Sequence, residues 1–335
     1  MTRRLFCFAL IAAAALPASA SAQRSPRPAP TPLVRMIPPD AEWGAVADLD
    51  ALREDIAVML LLVQESQRRS VLKRIEFAAG VQFEHVSGLA AFAVPTRPGA
   101  GSAAAADGES PEMIAIIRTC RPAVVSRFTG GPNRVKLLAD GFTVVVRLGG
   151  PEEPGTAFAE IEKARHTLQP GTPQAALAES QALIWAGPKQ LNRLAPEAAD
   201  ANSPFVALRP LLLKTDGAAV GLTVDRFGDT SVRLLADANS PIDAIAVRNS
   251  AQSGLKFAQL LVESAEELAE KNPHQALIWN VAETLLADSF EDEPRAIARG
   301  RRVSAELTIG SGRTAELLGV LNDAEKAEKA EEPAD

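Results

Sequence analysis

Two hydrophobic periods divide the chain, one repeating every second residue and one every three to four. EWGAVADL (Glu42 to Leu49) reads as a strand. Asp50 then stands as the N-cap of a helix that carries Leu52, Ile56, Leu60 and Val63 on one face. A second helix, Ser66 to Ala79, stops at Gly80, and GLAAFAVP (Gly88 to Pro95) returns to strand composition until Pro95 ends it. Thr96 to Pro111 is rich in Ala, Gly and Ser and reads as a surface loop. MIAIIRTC (Met113 to Cys120) is apolar and short, the signature of a buried strand. Two β-rich segments then flank Asp140-Gly141 within Arg134 to Leu148 and predict a hairpin, because both turn residues tolerate positive φ. Thr156 to Leu168 follows as a helix, and Thr172-Pro173 opens a shorter one.

A second cycle starts at QALIWAG (Gln181 to Gly187), with Pro188 and Ser203-Pro204 each opening a helix. GAAVGLTVD (Gly217 to Asp225) and TSVRLLAD (Thr230 to Asp237) predict another hairpin around Arg226, Phe227, Gly228 and Asp229. Ser240-Pro241-Ile242-Asp243 combines an N-cap, a proline and a first-turn acid. The long helix it introduces carries Phe257, Leu260, Leu261 and Leu268 along one side until Asn272-Pro273 interrupts it. A further helix bears Ile278, Val281, Leu285 and Leu286, RVSAELTIG (Arg302 to Gly310) is a late strand, and Thr314 to Leu321 a last short helix. The expected fold is α+β, mainly antiparallel sheet with helices packed on it. Each half runs from a Trp-bearing strand through helices and a hairpin to a helix, and VKLLADG near Val135 echoes VRLLADA near Val232. Two diverged copies of one unit would give this order, and so would the chance echoes of an Ala-rich α/β chain.

The ends have a different texture. Arg3 and Arg4, the apolar run Leu5 to Leu16 and the small-residue segment Pro17 to Ala22 have the three-part order of a secretory signal. Cleavage is placed between Ala22 and Gln23, with the bond before Ser21 as the alternative. An apolar run of about a dozen residues falls short of the roughly 20 that span a bilayer. Residues 23–40, with six prolines between Arg24 and Pro39, read as a tether. Residues 323–335 read as a charged, solvated tail, which leaves 41–180 and 181–322 as two α/β halves. The expected location is periplasmic or secreted, with no membrane span after cleavage.

Composition narrows the partners. Net charge is −7, and loss of Arg3 and Arg4 makes it −9, which disfavours nucleic-acid phosphates and anionic lipid surfaces. Three Trp, twelve Phe and no Tyr leave few rings for stacking on bases. Once Cys7 is removed with the signal, Cys120 is the remaining cysteine, so no internal disulfide forms, and its apolar neighbours mark a buried strand-end thiol.

No constellation of reactive residues stands out. His85, His166 and His274 lie far from any nucleophile motif; His85, after Glu84 in an expected loop, is the first place to look for a nonstandard site. Gly310-Ser311-Gly312 lacks the spacing of a nucleophile elbow, and no HxxxH, CxxC or EF-hand pattern occurs in the mature chain. Asp48/Asp50 and Glu291-Asp292-Glu293 suit capping and solvation. Gly130-Gly131-Pro132 and Gly149-Gly150-Pro151 put proline where a phosphate cradle needs an N–H. No cofactor or metal is expected.

With its proline-rich lead, the phrase PPDAEWGAVADLDALR and the later hairpin-plus-long-helix unit, the chain resembles exported bacterial proteins of unknown function built from duplicated α/β units. The resemblance covers most of Ile37 to Leu321 and implies no catalytic residues. The expected function is a non-enzymatic binding or scaffold protein of the cell envelope, its partner a protein or a small hydrophobic ligand. The alternatives are a hydrolase-like enzyme with a nonstandard site and a carrier of lipid or another hydrophobic ligand.

Overall fold

The computed structural model describes residues 33–52, 85–95, 111–123, 135–149, 158, 161, 170–194, 206–225, 229–271, 283, 284, 286, 288–290 and 293–310. Among these residues, ten strands form one antiparallel sheet: β1 Trp43–Asp48, β2 Val86–Val94, β3 Glu112–Thr119, β4 Val135–Leu137, β5 Thr143–Gly149, β6 Ala182–Ala186, β7 Thr215–Val224, β8 Thr230–Ala238, β9 Ile297–Arg299 and β10 Arg302–Ile309. Their order across the sheet is β4-β5-β3-β2-β1-β6-β7-β8-β10-β9. The fold is therefore α+β, as the sequence pattern predicts. Counting outward from the central β1–β6 pair, each side meets its strands in the same order: first, second, third, fifth, fourth. Both outermost strands have three residues, and short edges give another chain little backbone to pair with.

Helices α1 Leu49–Leu52, α2 Pro173–Ala176, α3 Pro188–Leu194, α4 Arg209–Leu213, α5 Pro241–Glu263 and α6 Ala265–Lys271 accompany the sheet. Local chemistry sets several of their limits. Thr172 and Ser240 cap α2 and α5 through side-chain oxygens that accept from Ala175 N and Asp243 N, with proline in the first turn of each. Gly141, at φ 70°, takes the left-handed backbone that the Asp140-Gly141 turn requires.

Strand alternation divides the core. On one face Phe92, Ile114, Ile116, Val145, Leu183, Trp185 and Ala219 meet Leu33, Val34, Met36, Ile37, Phe158, Ile161 and Leu177. Trp185 lies across Gly44: a Cβ there would sit 2.3 Å from the indole ring, so only glycine admits it. The opposite face carries two clusters. Ala115, Ile117, Val144 and Val146 pack with Leu49 and Val86 on the β1–β5 side, and Ala236, Val303 and Ala305 pack with Ala244, Val247 and Ala251 of α5 on the other.

Several expectations change. The proline-rich segment is not all tether: Leu33–Met36 forms a 3-10 turn, and Leu33, Val34, Met36 and Ile37 are buried, because four apolar side chains in five residues gain more from the core than from water. Asp50 lies inside α1, which begins at Leu49, rather than capping it. The long helix stops at Ser264, whose N–H bonds to Leu260 O and Val262 O, well before Asn272-Pro273. Its buried stripe is Ala244, Val247, Ser250, Ala251 and Val262, while Leu260 is 59% exposed. Small residues let α5 approach the sheet closely, so the larger Leu260 is left outside. VKLLADG and VRLLADA lie on β4 and β8, an edge strand and an interior one, so this echo does not join strands of equivalent position. The signal segment and residues 23–32, the helices expected over 56–79, most of 156–168, 203–205 and 272–282, and everything after 310 lie outside the described residues.

Candidate functional site

Among the described residues, a grouping of reactive side-chain types lies where β1 ends, β2 begins, β3 ends and the β4–β5 turn closes. Strand pairing brings them there. Asp48 pairs with Gly88 and Arg118 with both Gly88 and Thr143, so Asp48, Arg118 and the Asp140 turn share one end of one sheet face. His85 precedes β2, and its carbonyl accepts from Cys120 N at 2.7 Å. Thr119 N donates to Phe142 O at 2.9 Å and its hydroxyl donates to the same carbonyl at 3.0 Å, joining β3 to the turn.

Asp140 organises that turn. Its Oδ1 accepts from Phe142 N and Thr143 N, each at 2.8 Å, and its Oδ2 accepts from the Thr143 hydroxyl at 2.6 Å. Burial pushes the Asp140 carboxyl pKa up, but these hydrogen bonds and the Arg118 charge outweigh it and hold the pKa below the ordinary value. Arg118 is itself lowered, by burial first, with the charges of Asp140 and Asp48 acting against that loss. One of its terminal nitrogens lies 3.8 Å from Met36 Sδ.

Guanidinium, carboxylates and backbone thus fix a turn and a strand end. Among the described residues, no three His, Cys, Asp or Glu side chains come together as metal ligands. Cys120 is half-buried and not in a disulfide, and His85 is half-buried. His85 meets Cys120 through backbone, and this pairing belongs to the β2–β3 ladder.

At the other end of the same face, Arg147 and Glu112 form an ion pair at 3.1 Å with side chains 6% and 2% exposed. So deep a pair offers nothing to a ligand from solvent; it fixes β3 against β5. Near the β1 and β6 ends, Lys189 Nζ meets Glu42 Oε1 at 3.1 Å, while Glu42 Oε2 and Gln190 Oε1 are buried acceptors with no donor among the described residues. Farther along, the outer strands are polar: Arg302 pairs with Asp237 at 2.9 Å, Arg233 with Glu306 at 3.2 Å, and Arg301 with Asp216. Glu293, from the acidic run, pairs with exposed Arg295 at 3.4 Å. His166, His274, Ser311 and the Ala22/Gln23 bond lie outside the described residues.

The most exposed large apolar side chains lie on α5, with Ile242 81% exposed, Leu260 59% and Ile245 55%; Leu213 of α4 and Val206 just before it are 42% exposed, and Ile297 of β9 and Leu148 of β5 are 49% and 47%. Ser250 donates to Ala207 O at 2.6 Å and Lys214 pairs with Asp243 at 3.0 Å, so α4 and its 3-10 lead-in, Val206–Leu208, run antiparallel beside α5. No described helix is long and apolar enough to cross a membrane.

Residue patterns leave three features unread. Arg118 and Glu112 interrupt an otherwise apolar strand, which is their signal; buried Arg147 has the sequence surroundings of a surface charge; and the exposed α5 stripe has the spacing of a core-facing one.

No protein-family model and no curated protein matches the chain. Among solved structures, crystal form I of TP0453 is similar, with a TM-score of 0.37 and 12% identity over 85% of this chain and 96% of that one. Crystal form IV gives 0.39 and 10% over 85% and 95%. These are distant neighbours, and no functional residue is transferred from them.

Proposed function

We propose that the chain is an exported, non-enzymatic binding or scaffold protein of the cell envelope, with 181–322 following 41–180 as a diverged copy. The carrying observation is a division of labour among the described residues. Charged side chains at the sheet ends are engaged in fixing strands and turns, while large apolar side chains stand exposed on α4 and α5. Reactive chemistry needs the reverse, namely poised polar groups in a sheltered cleft. Export follows from the Met1 to Ala22 signal pattern, and the common outward strand order supports the duplication.

The test is expression of the full chain with its signal, followed by fractionation and determination of the mature amino terminus. Mature protein beginning at Gln23 in the envelope or medium is expected; unprocessed protein retained in the cytoplasm would contradict the reading. Turnover in a broad hydrolase screen that a single side-chain change abolishes would overturn its non-enzymatic part.

A second reading, a carrier of a hydrophobic ligand, draws on Val220, 39% exposed although it sits on an interior strand with Ile184 and Leu234 as register partners. Mass spectrometry of organic extracts from the purified protein separates the two. A stoichiometric lipid or other apolar molecule favours the carrier.

A further inference from the structure

We infer that the exposed outer face of α5 is an interface for a second copy of this chain, in which the two α5 helices pack antiparallel about a two-fold axis. Four observations converge on that occupant. Ile242 and Leu260 are the most exposed large apolar residues described, at 81% and 59%. They stand 18 residues apart, five full turns at 3.6 residues each, and therefore share one side of α5. An antiparallel neighbour then sets Ile242 of each copy opposite Leu260 of the other. The same register sets Ala246 opposite Phe257 and lays Ile245 along the hydrocarbon stem of Lys256, while the short side chains of Asn249 and Ser253 meet at the centre and let the helices approach.

Charge favours the same direction. At the beginning of α5 Lys214 neutralises Asp243 and Arg248 follows, whereas exposed Glu263, Glu266 and Glu267 stand at and just beyond its end. Antiparallel helices set the acidic end of each against the neutralised beginning and positive pole of the other; parallel helices would oppose acid to acid. Size is adequate as well. Twenty-three residues make a helix about 34 Å long, and with α4 beside it the strip offers on the order of 700 Å² per copy, near the ≈ 800 Å² of a standard interface. The sheet edges, each of three residues, offer little competing route to self-association. This inference stands apart from the binding reading: a dimer that binds nothing else, or a monomeric binder, would separate the two.

The experiment is sedimentation equilibrium on the full chain as processed in the cell, beside Ile242→Glu, Leu260→Lys and an equimolar mixture of the two. Both substitutions fall on exposed positions, and circular dichroism checks that the fold survives. The wild-type chain is expected to dimerise, and each variant alone to weaken the dimer roughly tenfold or more. The mixture is expected to recover association, because a mixed dimer sets the introduced carboxylate of one variant against the introduced ammonium of the other at one contact and keeps Ile242 with Leu260 at the second. A monomeric wild type at every soluble concentration overturns the inference. So does a dimer that neither variant weakens, or one that the mixture fails to restore.

Discussion

β3 and β10 belong to one sheet yet differ in their surroundings. Along β3, Ile114, Ala115, Ile116 and Ile117 are all at most 7% exposed, so both faces are covered. Along β10, Val303 and Ala305 are buried under α5, while Ser304 is half-buried and Glu306 exposed on the other face. The sequence carries the difference: MIAIIRT is continuously apolar until its arginine, whereas RVSAELTI alternates. Continuous apolar character marks a strand between two layers, and alternation marks one with a wetted face. Charge follows cover. The pair on the β3 side, Glu112–Arg147, is sealed, while Arg233–Glu306 on β8 and β10 is half-exposed.

The largest effect that sharpens this contrast is Phe92→Ala. Phe92 is 1% exposed beneath the buried turn at Leu33–Met36, and its truncation is expected to cost about 3–5 kcal/mol in urea unfolding. Leu235→Ala, on the same face but only partly buried among the outer strands, should cost well below that. An equal loss at both positions would break the contrast.

Next comes Glu112→Ala. It removes the carboxylate that meets the buried Arg147 guanidinium at 3.1 Å, with an expected cost of about 3–5 kcal/mol. A stability within experimental error of the wild type would show that solvent reaches the pair.

The Asp140 turn adds a pH dependence on the well-covered side. Its folded pKa lies below the ordinary carboxylate value, so its stabilisation is present above that ordinary value and is lost as pH falls through the folded pKa. Asp140→Asn should therefore lower stability at neutral pH and flatten the acid limb of the stability profile, measured by urea unfolding at stepped pH. An unchanged acid limb contradicts the assignment.

The smallest effect belongs to the open face. Arg233 and Glu306 have side chains 54% and 50% exposed, and a double-mutant cycle between them should give about 0–1 kcal/mol, shrinking further in salt. A coupling as large as that of Glu112 with Arg147 would mean that the outer strands are covered too.

Much of the sheet is legible in the residue pattern. The strands expected at Glu42, Gly88, Met113, Gln181, Gly217, Thr230 and Arg302 all appear within a few residues, because strand periodicity and bounding Gly or Pro act locally. The Ser240 cap is legible for the same reason. β9 is not: three residues between Pro294 and Gly300 carry no periodic signal, and β9 exists only because β10 pairs with it. Leu33 to Ile37 hide behind their prolines. The exposed stripe of α5 could not be read from its own spacing, since a helix with small residues on one side and large ones on another buries whichever side the sheet admits. The polar corner at Arg118 is unreadable too, since pairing of β1, β2, β3 and β5 brings together residues up to 95 positions apart in the chain, between Asp48 and Thr143.

Cysteine labelling tests the two-layer contrast most directly. In a Cys120→Ser background, single cysteines are placed in turn at 114, 115, 116 and 117 and at 303, 304, 305 and 306, and their rates of reaction with a charged thiol reagent are compared. Uniform protection along β3 and an alternating slow-fast pattern along β10 is the expected result; alternation along β3, or uniform protection along β10, would contradict it.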